Sequence, residues 1–332
     1  WTLSRGLGDV YKRQVLTAGF AQLVIQLFPL KQIDRLPVPK FNLNNQGTKK
    51  VFKLIIPAIL AGGIMQINLL IDTIFASLLQ TGSPTWLYVS DRLIQFPMGI
   101  FAIAIGTVLL PTLSKIDISK DMNGFIDIVK KGQRFVLFIG IPSFIGLALC
   151  STDLLSTIFL RGEFKAYDVN QASLSLIAFS FGLPFFMLMK VLTPAFFARK
   201  DTKTPMYIAL ISLFLNAFLN YILAFVLNYG HVGIAIGSTI SAFVSVIILE
   251  LILVQQGIVN LYNPFNRFNF SILVPSLVII AFLIFLSEHI SFLQLSMINK
   301  IFVLLLKVFI SIGIYLSLSR LIYGKPLKEI FN

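Results

Sequence analysis

The sequence predicts an all-α membrane protein that crosses the bilayer about nine times, and three observations predict it. Charged residues make up only 12% of the 332 and hydrophobic ones 57%, whereas a soluble domain carries about a quarter charged residues. The apolar residues come in continuous runs, most of them long enough for a helix to cross hydrocarbon, and not in the alternation of a barrel strand. The Lys and Arg residues between the runs alternate between rich and poor connections, as they do in a chain that threads back and forth across a membrane.

Nine runs can be read in order: 15–30, 54–79, 86–114, 132–150, 169–198, 205–227, 232–254, 270–288 and 300–322. The first is short and reads as a truncated span; the other eight are long enough. The first fourteen residues, "WTLSRGLGDVYKRQ", do not fit the apolar chain after them. They resemble the translated adapter junctions of assembled environmental sequence. With no initiator Met and no signal peptide they are set aside as a non-native junction, and the natural protein is expected to begin upstream.

Orientation comes from the connections. Segment 31–53 holds Lys31, Arg35, Lys40, Lys49, Lys50 and Lys53, and 80–85 holds no basic residue. Segment 115–134 holds Lys115, Lys120, Lys130, Lys131 and Arg134, and 151–168 holds Arg161 and Lys165. Arg199, Lys200 and Lys203 come next, then none in 228–231, then Arg267, Lys300 and a tail with Arg320, Lys325 and Lys328. Alternate connections carry eighteen basic residues against three, which places the rich side and the C-terminus in the cytoplasm. The net charge of +13 therefore reads as membrane orientation, and no nucleic-acid partner is expected. The single Cys150 excludes an intrachain disulfide, and no Cys/His cluster suggests a metal site. His231 and His289, both near run ends, read as solvated or interfacial. A nucleophile elbow, a phosphate loop and a selectivity-filter motif are all absent from the sequence, so neither an enzyme nor a channel is expected.

Six charged residues lie more than two residues inside the ends of the eight long runs: Asp72, Asp91, Arg92, Lys190, Glu250 and Lys307. Such residues are rare at membrane depth and usually face a bundle interior or an aqueous cavity. In "DRLIQFPMGIFAIAIGTVLLP", residues 91–111, Arg92 lies about 9 Å inside a helix that begins near Trp86. One reading has Arg92 snorkelling to the outer interface, paired with Asp91. The other has it lining a polar cavity and binding an anion, for which its permanent charge and planar fork are suited. Lys190, near mid-membrane, is too deep to snorkel and reads as a second cavity-facing cation. Lys307 reads as interfacial or as lining a lateral groove, and Glu250 as interfacial.

Asp72 suggests a different chemistry. Asn216 and Asn220 are one turn apart and share a face. Asp72 and Asn220 lie at similar depth below the outer ends of their runs, and Ser238 and Thr239 come close to the same level. One carboxylate, two amide oxygens and a hydroxyl are a donor set for a small hard cation, and Ile234 adds a backbone carbonyl. On the residues alone, ordinary interhelical hydrogen bonding is the simpler account. Pro57, Gly62, Gly63, Gly182, Pro184 and Pro194 read either as tolerated or as bending points.

Two stretches carry a resemblance. Residues 57–115, "PAILAGGIMQINLLIDTIFASLLQTGSPTWLYVSDRLIQFPMGIFAIAIGTVLLPTLSK", and 190–210, "KVLTPAFFARKDTKTPMYIAL", resemble the seventh and eighth helices and the join of the tenth and eleventh in the MurJ/MviN family. These are bacterial lipid II flippases of the MOP exporter superfamily. The resemblance implies fourteen helices, arranged as two six-helix lobes followed by two more. The nine runs here match helices six to fourteen. Residues 15–53 are then a truncated sixth helix and linker, 54–254 the second six-helix lobe, and 255–332 two additional helices and a tail. Half of the transport cavity, with the basic residues of the first two helices, lies outside this chain. The implied function is flipping of lipid II, an undecaprenyl-pyrophosphate-linked peptidoglycan precursor, across the cytoplasmic membrane by alternating access. Lipid II and membrane lipids are the implied partners. Arg92, with Asp91 and Lys190, is implied to bind the pyrophosphate. Asp72, Asn216, Asn220, Ile234 and Ser238 are implied to form a sodium site, and no other cofactor is expected. Flipping of another polyprenyl-linked saccharide, or MATE-like drug/cation antiport, remain the alternatives; the two terminal helices and the "DRL…FP" and "ARKDTKTP" stretches favour lipid II.

Overall fold

With no water in hydrocarbon to take backbone polar groups, long apolar runs become helices whose hydrogen bonds close within each segment. The computed structural model describes residues 2–32, 46–117, 120–258, 267–290 and 292–323, and helices are the only regular elements among them. Arg35, Lys40, Lys325 and Lys328, which entered the orientation argument, lie outside the described residues. The chain forms two compact units, Trp1–Phe52 and Lys53–Asn332. The first contains α1 (Thr2–Gln32), one helix that runs through the set-aside junction and the run 15–30. Eight other helical stretches are long and apolar enough to cross a membrane, and α1 is not among them. That matches the short first run.

The eight begin with α2 (Gln46–Ser77). The next span is α3 (Ser83–Pro97), a π-helical turn Met98–Ala102, and α4 (Ile103–Ser114). Then come α5 (Met122–Leu149), a short α6 (Ser151–Ile158) and α7 (Ala166–Ala198). α8 (Lys203–Tyr221) ends in a second π turn, Ile222–Val226, before α9 (Gly230–Gln255). α10 (Arg267–His289) and α11 (Met297–Tyr323) complete the described chain. α2 continues through Pro57, Gly62 and Gly63, and α7 through Gly182, Pro184 and Pro194. The turns that widen are the two π segments, one of them directly after Pro97.

Local signals fix the helix starts. Gly82 enters α3 with φ 104°, and a Cβ there would stand 2.6 Å from the Trp86 ring, so the position needs glycine. Asp121 caps α5 by accepting from the Gly124 N–H at 2.8 Å. Asp168 accepts from the Lys165 N–H at 2.8 Å, and its other oxygen accepts from Trp86 Nε1 at 2.9 Å, so one carboxylate caps α7 and ties it to α3. In "ARKDTKTP", Lys200 takes a left-handed φ of 62° and Asp201 receives the Thr204 N–H at 3.0 Å. That stretch is a turn and helix cap joining α7 to α8.

α7 is the central helix. Its Ala172, Leu176, Leu183, Met187, Val191, Leu192 and Phe196 are all fully buried, and α3, α4, α5, α6 and α9 all pack on it. The outer faces carry exposed Phe96, Phe214, Phe218, Phe302 and Phe309, where hydrocarbon takes the place of a protein neighbour. α10 packs on α5, and α11 packs on α10. Tyr315 donates to the Phe138 carbonyl at 2.7 Å and Ser319 to the Ser271 carbonyl at 2.7 Å.

Two expectations for single residues change. Lys307 is neither interfacial nor in an open groove. Its side chain is 2% exposed, and its Nζ meets Asp153 Oδ2 of α6 at 2.6 Å, beside the Phe292 ring at 5.3 Å. Taking an ammonium out of water is costly, so it is bound by a carboxylate from a neighbouring element. His231 is buried, not solvated, between Ser175 Oγ at 2.6 Å and Gln171 Oε1 at 3.0 Å, because α7 supplies partners to both ring nitrogens. Glu250 is half-buried and accepts from Gln133 Nε2 at 3.0 Å.

The Lys307–Asp153 pair makes a prediction about stability. Asp153→Ala leaves a buried ammonium without its partner and is expected to cost about 3–5 kcal/mol, read as a lower melting temperature of the detergent-solubilised protein. Lys307→Met with Asp153→Leu removes both charges and should melt close to the parent protein. A double variant as unstable as the single one contradicts this account.

Candidate substrate cavity and cation site

Within the unit Lys53–Asn332, helices α2, α3, α7, α8 and α9 line a partly open cavity of about 650 Å³. Residues 64, 68, 72 and 76 line it from α2, at the four-residue spacing of one helix face. Asp91 and Gln95 face it from α3, Phe186 and Met189 from α7, Asn216 from α8, and Ile234 and Ser238 from α9.

The residues expected to form a cation site meet on one wall. Asn220 Nδ2 donates to Asp72 Oδ1 at 2.6 Å and to Asn216 Oδ1 at 3.0 Å. Asn216 Nδ2 donates to Ser238 Oγ at 3.0 Å, and Ser238 Oγ donates to Asp72 Oδ2 at 3.3 Å. Asn216 and Asn220 are buried. Asn216 fits the same space with its amide turned over, giving its nitrogen to Asn68 Oδ1 at 3.1 Å and Asp72 Oδ1 at 3.0 Å. Ile234, one turn before Ser238, is fully buried in the regular part of α9. Asn220 Oδ1 is buried without a hydrogen-bond partner. The carboxylate, hydroxyl and amide oxygens of this set suit a small hard cation by type, while Asn220 turns its nitrogen to Asp72 and its partnerless oxygen to Gly237.

Sequence reasoning missed three features around this cavity: Asn68, a pair of glycines and Gln95. Asn68 was signalled only by standing one turn before Asp72. Gly237 sits against Asn220 so closely that a Cβ would overlap Asn220 Oδ1, and a Cβ on Gly233 would come within 2.6 Å of the Leu223 backbone. Together they form a G-x-x-x-G spacing that lets α9 approach α8 and the π turn. The third is Gln95, at i+3 from Arg92 and i+4 from Asp91.

Gln95 settles how the Asp-Arg pair is held. Its Nε2 donates to Asp91 Oδ2, and its Oε1 accepts from Arg92 Nη1 at 3.3 Å. Asp91 and Arg92 do not form an ion pair with each other; Gln95 stands between them. Asp91 faces the cavity, while Arg92 is exposed, with its guanidinium 4.8 Å from the centre of the Tyr88 ring. Lys190 is not brought to this cavity. It is half-buried on α7, its carbonyl 3.1 Å from where a Gly106 Cβ would stand on α4, and it has neither a carboxylate nor a hydrogen-bond partner among the described residues.

The family profile described as "Lipid II flippase MurJ" matches residues 12–313. The chain belongs to the MurJ family of lipid II flippases. A relative from Vibrio cholerae, described as "Probable lipid II flippase MurJ", is 44% identical over 247 residues, which are 74% of this chain and 47% of that protein. "Lipid II flippase MurJ" of Burkholderia cenocepacia is 34% identical over 75% of this chain and 48% of its own length. The chain thus spans about half the length of the curated relatives it matches. The solved structure "Lipid II flippase MurJ, inward closed conformation" superimposes with a TM-score of 0.68 at 28% identity, over 88% of this chain and 58% of that one. An outward-facing MATE family transporter of the MOP superfamily gives 0.57 at 16% identity over 85% of this chain and 66% of its own. That second likeness is one of fold. This MurJ-family chain is a multi-pass membrane protein.

The close approach of Gly237 to Asn220 is testable. Gly237→Ala should push the Asn220 amide away from Asp72 and lower stability by about 1–3 kcal/mol. Combined with Asn220→Ala, which makes room, the two costs should not add. Simple additivity in melting measurements would mean that the methyl group is accommodated elsewhere.

Proposed function

We propose that the complete protein flips lipid II across the bacterial cytoplasmic membrane by alternating access, and that this chain supplies one six-helix lobe and the two helices after it. The C-terminus lies in the cytoplasm on this reading, as the distribution of Lys and Arg requires. The observation that carries the reading is the state of Arg92. It is exposed within an apolar span, and no carboxylate lies within ion-pair distance of it among the described residues. An arginine kept charged at that depth needs an anion, and a pyrophosphate offers its fork several oxygens at once. Gln95 holds the guanidinium from one side and draws Asp91 away from it, so the fork remains open. Lys190 is the second cation of the proposal, presented when the lobe moves.

Asp72, Asn216, Asn220 and Ser238 would hold a sodium ion through side-chain oxygens, with the Ile234 carbonyl beside them. When bound, the ion supplies the charge that Asp72 lacks. The residues themselves join α2, α8 and α9 of one lobe, so a conformation that parts these helices loses the set. The effect of an ion on the transport cycle is bounded by its difference in affinity between the two conformations.

Two outcomes are expected in the complete protein. Arg92→Ala should abolish flipping while insertion is unchanged, and Arg92→Lys should be poorly active, because a point charge does not replace the fork. Full activity of Arg92→Ala would return Arg92 to snorkelling; activity measured on lipid II and on another polyprenyl-linked saccharide decides the cargo. Asp72→Asn should remove the sodium-dependent rise in melting temperature and weaken the sodium dependence of transport more than it weakens lipid binding. A parent protein indifferent to replacement of sodium by a large organic cation would overturn the sodium site.

A further inference from the structure

The cavity is far larger than one inorganic ion requires, and its lining is chemically one-sided. Two carboxylates face it, Asp72 and Asp91, and among the described residues its wall includes no Lys or Arg. Arg92 stands outside the lining, over the Tyr88 ring. Each carboxylate receives amide or hydroxyl hydrogens, Asp72 from Asn220 and Ser238, Asp91 from Gln95. Neutral donors leave Asp72 without a cation beside it, and the only cation near Asp91 among the described residues is Arg92, which stands outside the lining; a carboxylate drawn out of water calls for a cation. Beside polar Asn68, Ser212, Asn216 and Ser241, the wall carries the soft apolar side chains of Met98, Phe179, Phe186 and Met189. Aromatic faces and thioethers pack against organic ammonium groups and their hydrocarbon bodies. A volume of about 650 Å³ falls in the range of sites for small organic molecules.

We propose that this cavity is a binding site for amphipathic organic monocations, such as lipophilic amines and quaternary ammonium or phosphonium ions. The charged centre is met by Asp91 and Asp72, and the apolar body by Phe179, Phe186 and the two methionines. Such a cation and an inorganic ion at Asp72 exclude each other, since both draw on the same carboxylate. A bound organic cation also occupies the space between α2, α3 and α9, so it holds the lobe in the conformation that forms the cavity. The site takes the opposite charge from the pyrophosphate proposed for Arg92, and it stands whether or not lipid II is the cargo.

The test uses the complete protein in lipid nanodiscs without lipid II. Tetraphenylphosphonium is the probe, and its isosteric anion tetraphenylborate is the control. Saturable binding of tetraphenylphosphonium is expected, with affinity reduced about tenfold or more, equivalent to at least about 1.4 kcal/mol, in the Asp72→Asn/Asp91→Asn variant. Excess sodium should raise the apparent Kd, and tetraphenylborate should partition without saturating. Met189→Lys, which leaves both carboxylates in place and adds a cation to the wall, should abolish binding, and it decides the matter if the double variant does not fold. Non-saturable uptake by the parent protein, equal binding of the anion, or unchanged binding in Met189→Lys would each overturn the proposal. Because lipid II is left out, none of these results depends on the flipping assay.

Discussion

Hydrocarbon offers a polar group nothing to bind, and every polar choice in this chain answers that constraint. The backbone answers it by running as helices. Several hydroxyls answer it within their own helix: Ser90 donates to the Trp86 carbonyl, Ser180 to Leu176 and Ser245 to Ser241. What remains are the groups too polar or too long to be satisfied locally, and these must find partners on other helices. They are therefore the groups that specify how the helices pack.

Three such groups tie the lobe together. Asp72 binds α2 to α8 and α9 through Asn220 and Ser238. Asp168 caps α7 and holds Trp86 of α3. His231 of α9 is bonded to Ser175 and Gln171 of α7 and stacks edge-on with Trp86, ring centres 4.9 Å apart. Asp168, Trp86 and His231 thus join α3 and α9 to α7, whose apolar side chains fill the middle. The Lys307–Asp153 pair does the same for α11, outside the lobe's core. Polar bonds set the register, and dispersion between closely packed side chains supplies the bulk of the cohesion.

The proposed sites lie where that satisfaction is incomplete. Arg92 has no carboxylate within ion-pair distance among the described residues, and Asp72 and Asp91 are hydrogen-bonded by neutral donors. Gln95 stands between Arg92 and Asp91 and so separates the proposed anion side of α3 from the proposed cation side. One helix turn therefore presents opposite charge in two directions.

Span number and order were legible from the sequence because they depend on run length, which is a local quantity. The common level of Asp72, Asn220 and Ser238 was legible for the same reason, since depth along a span is distance from its end. The family was legible in two stretches, one of which the fold shows to be a turn and helix cap. The sequence could not say which way a side chain faces around its helix or what stands opposite, because both depend on rotation and packing between segments far apart in the chain. Asp153 lies 154 residues from Lys307, so no spacing could announce that pair. Lys190 had the right depth for the cavity and the wrong side of α7 for it. His231 read as solvated until α7 supplied its two partners. Depth is written in the sequence; the partner across the gap was decided by the tertiary structure.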